Sequence, residues 1–162
     1  MDTFSASRLL KRIENISHEK FVIHGATSRR SLLIPKKPQP TARNKDCHQK
    51  AIYASSVLVV GIIYAVIQGD PRWKYVRREG ISLTIPEGGY RFCEGYIHVC
   101  DRKDFKIGNA LTSLSKRPVR PVEIIKVHPA VLEFLEQTRQ LTFVRKRPRH
   151  LFYDEYEQPE YD

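Results

Sequence analysis

The sequence predicts an α+β fold in a single domain over residues 1–150, on three observations. Short β-branched or alternating runs ("KFVIHG", "ISLTIPE", "VEIIKV") are bounded by glycine, proline and charge. Apolar stripes at helical spacing occur at only a few places. The two kinds of segment do not alternate regularly, which argues against a doubly wound parallel sheet. The chain has 162 residues and a hydrophobic fraction of 41%, enough for one core.

The elements follow in chain order. Residues 5–17 read as an amphipathic helix with Leu9, Leu10, Ile13 and Ile16 on one stripe and Ser5 or Ser7 as cap. Residues 20–25 read as a strand stopped by Gly25. The stretch 26–50 is basic and contains Pro35, Pro38 and Pro40, which exclude regular structure around them. "AIYA" is a brief strand, and a helix follows over about residues 56–68, capped by Ser55 or Ser56. That helix is apolar nearly all round, as a buried helix is. Residues 70–80 read as a basic connection, then 81–87, 90–101 (broken near Gly95) and 122–127 as strands. Residues 128–140 form a helix with Pro129 in its first turn, and "LTFV" is a last strand. Residues 151–162 show no periodicity and are read as an acidic, disordered tail.

The net charge is +10, unevenly spread: residues 1–50 carry +7, and residues 154–162 hold five acids and no base. A field of that size attracts polyanions, whether nucleic acid or a phosphorylated ligand. Three cysteines, Cys47, Cys93 and Cys100, make no disulfide framework. "MDTFSASRLLKRIENISHEK" lacks the apolar run of a signal peptide, so the expected compartment is the reducing cytoplasm. From Val57 to Ile67 there are only 11 apolar residues, against about 20 for a membrane span. Of the candidate ligands Cys93, His98 and Cys100, the two cysteines are seven residues apart rather than the two to four usual for paired zinc ligands and read more simply as small buried thiols, so no metal is expected.

Glycine-rich phosphate loops and nucleophile elbows are absent from the sequence. One constellation stands out. "VIHGAT" ends the first strand, "IYASS" ends the next, and Tyr64 follows Tyr53 by 11 residues, about three helical turns. Two tyrosines facing one cleft can sandwich a flat heteroaromatic ring. Gly25 admits close approach of a ligand to the backbone, and His24 can hydrogen-bond a sugar hydroxyl. Each residue also has a plainer reading: a polar group satisfied at a turn, core tyrosines with hydroxyls at the rim, a turn glycine.

"HGAT", then "IYAS" opening a helix that returns a tyrosine, resembles the ADP-ribosyltransferase superfamily in its diphtheria-toxin and poly(ADP-ribose)-polymerase branch. The resemblance covers roughly residues 20–135. It implies two small packed antiparallel sheets with flanking helices and a cleft holding NAD⁺. It implies that His24 bonds the adenosine-side ribose and that the Gly25 backbone bonds the nicotinamide carboxamide. Tyr53 and Tyr64 would stack on the ring, and Gly61 would leave room beneath it. Arg29, Arg30, Lys36, Lys37 and Arg43 would lie toward the pyrophosphate.

The chain departs from the family where active members place a glutamate. That segment reads "TSLSKRPV", with Thr112 in the position of the acid. A threonine cannot supply the charge that stabilises an oxocarbenium-like centre. Poly-chain synthesis is therefore not expected, whereas mono-ADP-ribosyl transfer to a nucleic-acid or protein acceptor, with His24, Tyr53 and Thr112 at the reacting centre, and plain nucleotide binding both stay open. Glu94 and Glu123 are the nearest acids in sequence. The other reading is a catalytically silent nucleic-acid-binding module. Its candidate cations are Arg29, Arg30, Lys36 and Lys37, then Arg77 and Arg78, then Arg145, Lys146 and Arg147. Trp73 and Tyr75 interleave with cations as in a single-strand stacking platform.

Overall fold

A computed structural model of the chain describes residues 3–16, 18–37, 50–108 and 111–145. The expected acidic tail, Lys146, Arg147, Cys47 and Arg43 lie outside the described residues. Among the described residues there are three α-helices, eleven strands and one 3₁₀ turn (Arg102–Asp104): α1 (Thr3–Glu14), β1 (Phe21–Ala26), β2 (Ile52–Ala54), α2 (Leu58–Val66), β3 (Ile67–Gln68), β4 (Arg72–Val76), β5 (Gly80–Ile85), β6 (Arg91–Phe92), β7 (Gly95–Asp101), β8 (Lys106–Ile107), β9 (Ser113–Ser115), β10 (Glu123–Val127), α3 (Val131–Gln137) and β11 (Leu141–Arg145). The α+β expectation is met at that level.

The strands pair as β1-β7-β10, β2-β9-β8, β11-β5-β4 and β3-β6. A bridge between Ile23 and Ser55 joins the first two groups side by side. Its two backbone bonds, Ile23 N–H to Ser55 C=O and the reverse, are both 2.8 Å. The resulting order is β10-β7-β1-β2-β9-β8. Directly paired residues share a face of a sheet. Ile23, Ile97, Val99, Ile125 and Val127 therefore turn to one side, where α1, α2 and α3 cover them. Ile81, Leu83 and Leu141 of the β11-β5-β4 sheet close the same core. On the opposite face, Val22, Ile52, Ala54 and Cys100 pack under Leu33 and Val119 in a smaller apolar cluster.

α2 is the centre of the main core, and every one of its residues except Tyr64 is buried. It lies directly on two glycines. A Cβ on Gly25 would stand 1.9 Å from the Gly61 carbonyl oxygen, and one on Gly95 would stand 1.6 Å from that of Ala65. Neither distance is tolerable, so backbone packs on backbone.

Several expectations are corrected. The connection read at 70–80 is a β-hairpin, β4 to β5, in which Trp73 packs against the core while Arg72 and Lys74 stay exposed. The charged alternate positions disguise a strand of period two. The helix read at 56–68 spans 58–66 and gives way to β3. Its N-cap is Val57, without a side-chain cap; Ser55 Oγ instead accepts the Val57 N–H at 3.0 Å. β11 runs parallel to β5, so that sheet is mixed rather than antiparallel. Of the basic stretch after β1, residues 27–37 are irregular as expected, anchored by bridges Leu33–Val119 and Lys36–Ala51, while residues 38–49, with Pro38 and Pro40, lie outside the described residues. Among the described residues no helix is long and apolar enough to cross a membrane.

Because the contact at Gly25 and Gly95 is backbone against backbone, Gly25→Ala and Gly95→Ala should each destabilise the fold by about 2–4 kcal/mol. Urea unfolding of both variants checks this. A loss below about 0.5 kcal/mol would mean that α2 sits farther from the sheet than described.

Candidate functional site

The site begins where β1 and β2 part. Their pairing is made at Ile23–Ser55, and that register would carry Gly25 to Tyr53. No bridge forms there among the described residues. The His24 imidazole takes over: its Nδ1–H donates to the Tyr53 carbonyl at 2.6 Å. A carbonyl can only accept, so the proton sits on Nδ1, and in the neutral ring Nε2 is left as an acceptor. No described residue bonds that nitrogen.

His24 is lowered from its ordinary pKa chiefly by burial. The Tyr53 carbonyl opposes the shift, and the charges of Arg30 and Lys36 add to it. The ring is therefore neutral near pH 7.

A second imidazole lies across the ladder. His98 of β7 pairs with His24, and their rings meet edge-on with centroids 5.8 Å apart. Both nitrogens of His98 are committed. Nε2 accepts the Arg30 backbone N–H at 3.0 Å, which puts the proton on Nδ1, and Nδ1–H donates to the His24 carbonyl at 3.2 Å. This ring is fully buried, and burial pushes its pKa down to about 4, with the charges of His24, Arg30 and Arg29 helping. His98 thereby pins the stretch carrying Arg29 and Arg30 against the His24 side of the sheet. Its role went unread in the sequence, although "VIHG" and "YIHV" each set an imidazole among β-branched residues. A buried ring in such a strand must find partners for both nitrogens.

The other expected residues fall as follows. Tyr53, paired with Leu114, turns to the face under α2, the same face as Gly25 and opposite to His24. Gly25 serves the helix: the space a side chain would fill belongs to the Gly61 peptide. Gly61 likewise admits Ile23, whose Cγ2 would lie 2.4 Å from a Cβ there, so the room expected beneath a ring is taken by the sheet. Tyr64 follows Gly61 by three residues and so points about 60° round the helix from the sheet-facing line. It is 38% exposed, and its hydroxyl accepts the Trp73 indole N–H at 3.1 Å. Thr112 immediately precedes β9, where the register leads to Ser55; Ser55 Oγ–H donates to the Leu111 carbonyl at 2.6 Å.

Neither acid weighed for Thr112 can reach it. Glu123 pairs with Arg12, and Glu94 with Lys126 at 2.8 Å. Both pairs sit by β10, four strands or roughly 19 Å from β9. Cys100 is buried, with its thiol pushed up to about 12 by burial and by Asp104, and His98 has no free nitrogen for a metal. Among the described residues no group of His, Cys, Asp and Glu is placed to hold a metal ion. A shallow depression of about 220 Å³ lies on the other sheet, beside Lys74 and Thr142.

Compared with family models, with curated proteins and with solved structures, the chain finds no match in any of the three.

The His98 pKa carries a pH signature. Its folded value lies below the unfolded one, so the unfolded chain takes up the proton first. The stabilisation is complete above about pH 6.5 and is lost as pH falls from there toward 4. His98→Gln should flatten that slope by on the order of 2 kcal/mol across the window, read as urea midpoints at several pH values. A variant that keeps the full slope would assign the acid sensitivity to other groups.

Proposed function

We propose that the chain binds NAD⁺ or a related ADP-ribose-bearing nucleotide where β1 and β2 part. One observation carries the reading. The Tyr53 carbonyl commits His24 Nδ1–H, so a neutral imidazole offers its Nε2 lone pair beside Arg30 and Lys36. An acceptor for a hydroxyl within the field of two cations is the chemistry that recognises a sugar bearing a phosphate.

Tyr53 and Gly25 are on the other face of the sheet from His24. A nucleotide touching both bends round the edge of β1, with its sugar at His24 and its ring toward Tyr53. The resemblance to the ADP-ribosyltransferase superfamily in "HGAT" and "IYAS" supports the same arrangement, with Tyr64 as the second aromatic wall. Thr112 brings no charge to such a site, and Glu94 and Glu123 are engaged elsewhere. Mono-ADP-ribosyl transfer would therefore have to draw its acid from the acceptor, and binding is the primary activity proposed.

The test is thermal unfolding with and without millimolar NAD⁺, ADP-ribose and AMP, on the wild type and Tyr53→Ala. A ligand at 100 times its Kd adds about 2.7 kcal/mol to the folded state, which raises Tm by roughly 5–10 °C in a domain of this size. The NAD⁺ shift should shrink in Tyr53→Ala while the AMP shift, which depends on the His24 side, persists. An unmoved wild-type Tm with all three ligands would sink the nucleotide reading.

A further inference from the structure

The β11-β5-β4 sheet has one face in the core and one turned outward. On the outward face Lys74, Ser82 and Thr142 stand in a row across the three strands. They line the depression of about 220 Å³ together with Val76, Val144 and one acid, Glu79. The β4–β5 hairpin adds Arg72, Arg77 and Arg78, all exposed. No described residue forms an ion pair with any of these four cations.

Two of the arginines at this end are held in an unusual conformation. Arg78 at the hairpin tip has φ 70°, and Arg139, just before β11, has φ 60°; they are the two non-glycine residues with positive φ among those described. The Gln140 carbonyl lies 3.5 Å from where a Gly80 Cβ would be, so the entry to β11 abuts the entry to β5, and Arg139 joins Arg77 and Arg78 at one end of the sheet. Glycine or asparagine is favoured at such positions. At Arg139 the conformation closes the C-terminus of α3, where the Gln140 N–H donates to the Leu135 carbonyl at 2.9 Å. Tyr75, paired with Ile81 and so on the opposite face of the sheet from Lys74, is 54% exposed on β4, an edge strand whose far end is tied down by Tyr90 and Tyr64 through Arg72 and Trp73.

We propose that this end of the sheet is a docking surface for single-stranded nucleic acid. Arg77, Arg78 and Arg139 meet phosphates, for which the guanidinium fork is suited. Lys74 and the Thr142 hydroxyl continue the track on the outward face, with Ser82 buried between them. A strand passing round the β4 edge from that face also reaches Tyr75 on the other, on which an unstacked base can lie. A duplex offers no such base, and an anionic membrane has no base for Tyr75 to stack on. The surface belongs to a different sheet from the nucleotide site and does not depend on it.

Fluorescence anisotropy of the full chain with a labelled oligothymidylate of about 16 nucleotides tests this. A duplex of equal length and anionic vesicles serve as competitors. The single strand should bind tighter than the duplex. R77A/R78A should lower the log–log salt slope by about 1.4, since each lost phosphate contact on a single strand removes about 0.7. Tyr75→Ala should weaken binding at least about fivefold, the low end for one stacked base. Arg78→Gly should weaken binding while leaving Tm unchanged or higher, because glycine relieves the positive φ, so lost binding cannot be put down to lost folding. The proposal is overturned by equal affinity for duplex or vesicles or by a neutral Tyr75→Ala. It is also overturned if K20A/K103A, which removes the same charge from the other sheet's surroundings, weakens binding as much.

Discussion

The seating of α2 on the glycines of β1 and β7 sets the depth of everything around it. With no side chain at Gly25 or Gly95, the helix peptides at Gly61 and Ala65 come down onto the sheet. At that depth a nine-residue helix is buried on all but one of its positions. It can therefore be apolar all round without exposing a patch. The same depth puts the side chains of α1 and α3, and the inner face of β5 and β11, within one core. Packing of this kind leaves no slack, since interiors are dense and any added methyl is felt.

The β1–β2 junction is a second constraint, polar rather than apolar. A ladder that continued past Ile23–Ser55 would have used the Tyr53 carbonyl for its own pairing. The His24 ring substitutes for that bond and His98 ties the following loop to the same place. The two rings thus fasten three separate segments with neutral hydrogen bonds. Both depend on imidazoles kept uncharged by burial and by the cations around them. The positive charge of Arg30 therefore stands beside the site and also helps fix the protonation state of the ring that would meet a ligand.

Much of the fold was legible because its signals are local. The β-branched run at Val22–Ile23 and the apolar stretch Leu58–Val66 could hardly be anything but strand and buried helix. The hairpin at 72–85 was not legible, because its exposed positions carry Arg72 and Lys74 and so read as a charged loop. Nor could the uses of Gly25 and Gly61 be foreseen: a glycine that admits a ligand and a glycine that admits a helix look alike in sequence. His24 and Tyr53 were found as a pair from their motifs, but that they join through the Tyr53 backbone carbonyl rather than through its ring is a matter of strand register. His98 was weighed only as a metal ligand, since nothing local shows that its partners are the Arg30 amide and the His24 carbonyl.

Trp73 is the chain's single tryptophan, and its indole N–H is bonded to Tyr64 at the joint between the β4 hairpin and α2. An indole in that place is an internal optical probe. Its emission depends on whether the N–H is bonded and on how much water reaches the ring, and a tyrosine in contact can pass excitation to it. The protein therefore carries an intrinsic fluorophore at a hydrogen bond that links the helix over the β1–β2 junction to the arginine-bearing hairpin. Rearrangement at either place would show in a single emission band without any label.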